Sequence, residues 1–199
     1  RQRQMCIRDR ATVVLVAWSY GGNVALAYVR KFGLERIAGL NITASRSAFG
    51  PSTRRAEMSI AERAALDKRS AAMRSDDFLV NVAATRDFIG DLTATPLAAD
   101  ELTEFITFNM MTPAYVRRGM RTFRPDNRSL AVQLTVPVLI THGSADKLVS
   151  AKDAQRIQRL IAGSRLSIYE GVGHMPFYER PERFNRELAS FVRRVNEAP

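Results

Sequence analysis

The sequence predicts an α/β fold built on a mostly parallel sheet, and three observations carry that expectation. Apolar, β-branched runs alternate along the chain with segments of helical period. The first such run, Thr12-Val13-Val14-Leu15-Val16-Ala17, is almost continuously apolar, as suits a strand buried on both faces of a parallel sheet. Between Gly50 and Val132 helical period takes over, so a helical insertion separates the second strand from the third.

Taken in order, Thr12 to Ala17 is the first strand, and Gly21 to Phe32 follows as a helix offering Val24, Leu26, Ala27, Tyr28 and Phe32 for packing. Gly33 stops that helix. Ile37 to Thr43 is the second strand. The insertion then holds candidate helices at Glu57 to Met73, Asp76 to Ile89, Asp100 to Phe108 and Pro113 to Phe123, and Arg124-Pro125-Asp126-Asn127 reads as a turn. Pro137 opens a third strand at Val138 to His142, with a helix at Ala151 to Ile161 stopped by Gly163. Arg165 to Tyr169 is the fourth strand, and a last helix runs from Pro181, a residue suited to a helix start, to Val195. The expected organisation is a core of residues 11–49 and 133–199 with a helical cap, residues 50–132, over the strand ends.

With 199 residues, 46% hydrophobic and 25% charged, the chain has the composition of an ordinary soluble globular domain. No apolar run approaches the roughly 20 residues a membrane span needs. The net charge of +10 comes mostly from arginines scattered along the whole length, without a basic block or interleaved aromatics. That diffuse pattern argues against a nucleic-acid footprint. Residues 1–10, Arg-Gln-Arg-Gln-Met-Cys-Ile-Arg-Asp-Arg, stand apart: they have no usable period and abut an interior-type strand without a turn. They resemble translated sequencing-adapter read-through and are expected to be a non-native segment. Setting them aside lowers the net charge to +7 and removes Cys6, the only cysteine, so no thiol chemistry or redox compartment is legible. The oligomeric state is not legible either, and the cytoplasm is the default location.

One turn suggests chemistry. Ala17-Trp18-Ser19-Tyr20-Gly21-Gly22 joins the first strand to the first helix, and a strand that breaks at a serine with small neighbours describes a nucleophile elbow. Acyl transfer by serine needs a base within hydrogen-bond reach and a carboxylate to orient it. The chain has two histidines. His174 lies in Gly171-Val172-Gly173-His174-Met175-Pro176, after the last strand, where flanking glycines let a side chain reach back over the sheet edge. His142 ends the third strand and reads as a structural residue. Asp146, in the loop after that strand, is the leading acid; Asp153, inside a helix, and Asp126, in the turn ending the cap, are the alternatives. Ser19, Asp146 and His174 each follow a different strand at one sheet edge, in the order Ser, Asp, His. Among the apolar residues near this edge, Trp18, Phe105, Phe108, Met111 and Met175 are candidates for a substrate pocket, although packing the cap onto the body is the commoner use of such side chains.

On these residues the chain resembles the α/β-hydrolase family. The likeness rests on Val14 to Gly22, Pro137 to Val149, Gly173-His174-Met175-Pro176 and Pro181-Glu182-Arg183-Phe184. The resemblance implies Ser19 as nucleophile, His174 as general base and then acid, Asp146 as orienting carboxylate, and the Tyr20 N–H as one oxyanion donor. It implies a small-molecule substrate, no cofactor and no metal. Ala17 stands where the elbow usually has glycine, and is small enough to keep the turn. The second oxyanion donor belongs to a loop after an earlier strand. Only the last four strands of the family's sheet of about eight are recognised here, none of them before Thr12. The chain is therefore expected to be the C-terminal part of a longer enzyme. The implied activity is hydrolysis of a small carboxylic ester through an acyl-enzyme. A cofactor-free haloperoxidase or perhydrolase and a C–C bond hydrolase are alternatives on the same fold, and a non-catalytic ligand-binding or receptor protein is the alternative of another class.

Overall fold

The computed structural model describes residues 12–123 and 125–197. The segment read as non-native and Arg124 of the expected turn lie outside the described residues. Strand β1 spans Val13–Trp18 and is followed by helix α1, Gly21–Phe32, and strand β2, Ile37–Thr43. Helices α2 (Thr53–Glu57), α3 (Ile60–Ala72), α4 (Phe78–Gly90), α5 (Ala99–Met110), α6 (Ala114–Thr122) and α7 (Arg128–Ala131) come next. Strand β3, Val138–Gly143, leads to helix α8, Ala151–Leu160, and strand β4, Arg165–Tyr169. Two helices, α9 (Pro176–Glu179) and α10 (Pro181–Glu197), close the described chain.

The four strands form one sheet in the order β1-β2-β3-β4, and every pairing is parallel. Alternate strand residues sort to opposite faces. Leu40, Ile42, Val138 and Ile140 form one core with Leu26 and Val29 of α1 and Ala154, Ile157 and Ile161 of the α8 region. On the opposite face, Gly39 of β2 lies against α10: a Cβ there would stand 3.0 Å from the Phe191 ring. Helices on both faces and parallel strands put all the strand C-termini at one edge, where loops can converge.

The expected elements all form, with ends displaced by a residue or two, and two differences have local causes. The helix expected over Glu57 to Met73 starts three residues late, at Ile60, and a short helix not expected from the sequence, α2, ends at Glu57. Ser59 caps α3 by accepting from the Glu62 N–H at 3.3 Å, while the Glu62 carboxylate accepts from the Ser59 N–H at 2.7 Å. This reciprocal capping box ends one helix and starts another, and the Ser-x-x-Glu spacing announces it. Second, β1 is not buried on both faces as its composition suggests. It occupies one end of the sheet, and Val16 is 49% exposed. Among the described residues no strand pairs with its outer side.

Candidate active site

The turn between β1 and α1 carries Ser19 with φ of 52°, in the left-handed region that side chains other than glycine rarely adopt. The ladder holds it there: the Ser19 N–H donates to the Thr43 carbonyl at 2.9 Å, and the Gly22 N–H donates to the Ser19 carbonyl at 3.1 Å. The two glycines of the elbow differ in purpose. A Cβ on Gly22 would fall 2.1 Å from Ser47 Oγ and 2.4 Å from Ser45 Oγ, whereas one on Gly21 would meet nothing within 4 Å. Gly22 is thus imposed by close approach, and Ala17, fully packed, is tolerated at the position that usually carries glycine.

The loop pressing on Gly22 is a feature the sequence reading missed. Ala44, Ser47 and Ala48 all have positive φ, and Ser45 Oγ donates to the Ser19 carbonyl. Asn127 holds the same loop from the cap side through Nδ2 to the Ser47 carbonyl, 2.7 Å. Strained residues of this sort cost on the order of 1–3 kcal/mol each and persist only where neighbours enforce them. The small residues Ala44, Ser45, Ser47 and Ala48 on either side of Arg46, directly after a strand, were the available signal.

Three side chains from three strand ends meet at this edge. Ser19 Oγ lies 2.8 Å from His174 Nε2, and His174 Nδ1 lies 2.7 Å from Asp146 Oδ2. His174 and Asp146 are buried, while Ser19 is partly exposed. The Nδ1–H donated to Asp146 leaves the Nε2 lone pair facing the Ser19 hydroxyl, the tautomer a general base needs. The backbone of His174 is fixed at both ends: its N–H donates to the Leu92 carbonyl at 2.9 Å, and its carbonyl accepts from Trp18 Nε1 at 2.8 Å. Glu179 clamps the loop to the segment after α4 by accepting from the Gly173 N–H at 2.8 Å and the Ala94 N–H at 2.9 Å. A Cβ on Gly173 would meet the Ala94 nitrogen at 2.7 Å, which is why glycine precedes the histidine.

Asp146 is held as an anion. Its Oδ1 accepts from the N–H groups of Leu148 and Val149 at 2.7 and 3.0 Å, and its Oδ2 faces both His174 and His142 Nε2, the latter at 3.2 Å. Burial opposes its ionisation, but the hydrogen bonds and charges of the two histidines outweigh burial and keep the carboxyl well below its usual range. His142 is therefore more than a strand-end residue. Its Nε2 sits between two acceptors, Asp146 and the Val149 carbonyl at 3.0 Å, and so carries the proton, while its buried Nδ1 has no partner.

The other two acids play different parts. Asp153 is buried at the start of α8, where it accepts from the Thr53 N–H at 3.1 Å and ties α8 to the start of α2. Asp126 is exposed and paired with Arg128, which holds its carboxyl down to about 2. The Tyr20 N–H, at the head of α1 and next to Ser19, donates to nothing among the described residues. Among the described residues no three His, Cys, Asp or Glu side chains converge as a metal site, and no helix is long and apolar enough to cross a membrane.

A cavity of about 610 Å³ opens beside this edge, its wall including Tyr20 and Leu148. None of the five residues expected in a substrate pocket lines it. Trp18, Phe105 and Met175 are used in one apolar cluster with Ile89 and Leu92, Phe105 meeting Tyr178 edge-on at 5.4 Å. Phe108 and Met111 are 62% and 73% exposed. The cavity is walled instead by α3 and α6, through residues such as Leu66, Arg69, Met73, Arg117 and Met120. Their spacing, 66-69-73 and 117-120-121, puts each set on one helical face and was legible in the sequence.

The sequence profile of the alpha/beta hydrolase family matches residues 2–187. The chain belongs to the alpha/beta hydrolase family. This alpha/beta hydrolase is 28% identical over 190 residues to a pimeloyl-[acyl-carrier protein] methyl ester esterase from Neisseria meningitidis serogroup A. The match takes in 93% of this chain and 58% of that relative, so the chain spans little more than half of the relative's length. Among solved structures, an esterase from Rhodococcus sp. ECU1013 superposes with a TM-score of 0.80 at 24% identity, covering 98% of this chain and 70% of its own. An esterase from Exiguobacterium antarcticum gives 0.79 at 22% identity, covering 96% and 70%. At those identities the structural likeness speaks for the fold.

Proposed function

We propose that this alpha/beta hydrolase cleaves carboxylic esters of small molecules through an acyl-enzyme on Ser19. The observation that carries the reading is the unbroken chain of hydrogen bonds from Ser19 Oγ through His174 to Asp146. The similarity over most of the chain to a methyl ester esterase supports the ester class.

In this mechanism the Ser19 hydroxyl attacks the ester carbonyl as His174 Nε2 takes its proton. Asp146 stays ionised and stabilises the imidazolium through Nδ1–H. The carbonyl oxygen, now an oxyanion, is met by the Tyr20 N–H, where the partial positive charge of the α1 N-terminus adds to the hydrogen bond. Collapse of the tetrahedral intermediate breaks the bond to the alcohol, which leaves with the proton from His174. Water then enters the same path: His174 removes its proton, the hydroxide adds to the acyl carbon, and Ser19 departs reprotonated with the free acid released.

Turnover of p-nitrophenyl butyrate tests the reading. The chain is expected to release p-nitrophenol, and Ser19→Ala is expected to lower kcat by a factor on the order of 10⁴ to 10⁶. Saturable binding of the ester without turnover would instead support the receptor alternative, and equal rates for the Ala variant would remove Ser19 from the mechanism.

A further inference from the structure

The cavity beside the elbow has a one-sided charge. Five arginines, Arg46, Arg69, Arg74, Arg117 and Arg121, line it, and no aspartate or glutamate does. The nearby acids are already engaged: Asp91 pairs with Arg69 at 2.6 Å, and Asp67, which feels Arg121 and Arg74, is held by two hydrogen bonds from Arg55 at 2.7 and 3.0 Å.

Arg117 is the informative member. It is partly buried, and its guanidinium donates to neutral oxygens, the carbonyls of Asn109 and Thr112 and the Asn109 side chain, at 2.5 to 3.2 Å. Burial lowers its pKa, with no carboxylate acting in the other direction. A desolvated cation without an anionic partner is costly, and an anion entering the cavity would relieve that cost. The rest of the wall includes Leu66, Met73, Phe88 and Phe123, so the space suits a short hydrocarbon chain ending in a charge. A sphere of the same volume is about 10 Å across, within the range of small-ligand sites.

We propose that this cavity selects esters carrying a second, carboxylate group, which the arginines of α3 and α6 hold while the ester lies at Ser19. The guanidinium fork matches a carboxylate with two parallel hydrogen bonds, and partial exclusion of water strengthens the pairing. The proposal rests on the hydrolase reading above, and it names the substrate class for that site.

The test compares p-nitrophenyl adipate, a half-ester with a free terminal carboxylate, with p-nitrophenyl hexanoate, of equal chain length and no charge. A third ester, 4-(hexanoyloxy)benzoate, carries the carboxylate on the leaving group and shows which side of the ester faces the arginines. The readout is the ratio of kcat/KM for an anionic ester to that for hexanoate, so a general loss of activity or fold cancels. The chain is expected to favour one of the anionic esters about tenfold, mainly through KM. Raising the salt concentration should weaken the preference, and Arg121→Glu and Arg117→Met should each cut it at least fivefold. Arg121 is exposed, so its substitution keeps the test valid if Arg117→Met fails to fold. Equal kcat/KM for the three esters, or a preference that survives both substitutions, would overturn the proposal. If no ester is turned over, calorimetry with adipate reads the cavity alone: binding weakened by Arg121→Glu upholds the anion site although the hydrolase reading has failed, and absence of binding overturns it.

Discussion

The elbow shows how finely single residues are specified. Gly21 and Gly22 are adjacent and identical in sequence, yet only Gly22 has a neighbour in the way of a side chain. Gly22→Ala is expected to destabilise the chain by about 1–3 kcal/mol, because the serine loop behind it must shift. Gly21→Ala is expected to be neutral or to stabilise by up to about 1 kcal/mol, since alanine suits a helix better than glycine. Chemical denaturation of the two variants checks this, and equal losses would show that the approach of Ser45 and Ser47 does not matter. Asp146 makes the second residue-scale prediction. Asp146→Asn should lower kcat by roughly 10⁴, because an amide facing His174 Nδ1 favours the wrong tautomer. It also carries a pH signature. The folded-state pKa lies below the ordinary 3.8, so the carboxylate contributes stability that is fully present above that value and is lost as pH falls through the folded value. The gap in unfolding free energy between the parent chain and Asp146→Asn should therefore shrink steadily below about pH 4. A gap that widens in acid would contradict the bonding described for Asp146.

Secondary elements show what was legible in the sequence and what was not. Strand and helix positions follow from apolar period and from glycine and proline punctuation, which are local properties. Ser19, Asp146 and His174 were equally legible, because each follows a strand at the edge where parallel strands end. The pocket was not. Phe105, Phe108 and Met111 lie close together in sequence, but which of them meets the body depends on how α5 docks, and that is a long-range outcome. The role of Glu179 was also invisible, since one of its two partners, Ala94, lies 85 residues away, although the other, Gly173, is only six residues away. At this scale the account predicts that Glu179→Ala, by releasing the loop before His174 from the segment after α4, lowers kcat by about tenfold while leaving KM for small esters within about twofold. Faster amide exchange at Gly173 and Ala94 should accompany the loss. An unchanged kcat with faster exchange would show that the clamp serves stability alone.

The molecule as a whole is what brings the site together. Ser19 and His174 are 155 residues apart, and His174 and Asp146 are 28 apart, so no local segment can hold the three in register. The sheet does so by placing three strand ends side by side, and the helical segment between β2 and β3 contributes through Leu92, Ala94 and Asn127. The nucleophile proposed above, Ser19, should be reactive only in the folded chain. The most direct measurement is labelling with a fluorophosphonate, read by intact mass and by mapping the modified peptide. The account predicts one adduct per folded chain, on Ser19, absent after unfolding in urea and absent in Ser19→Ala. Undiminished labelling of Ser19→Ala, or equal labelling of folded and unfolded chains, would contradict it.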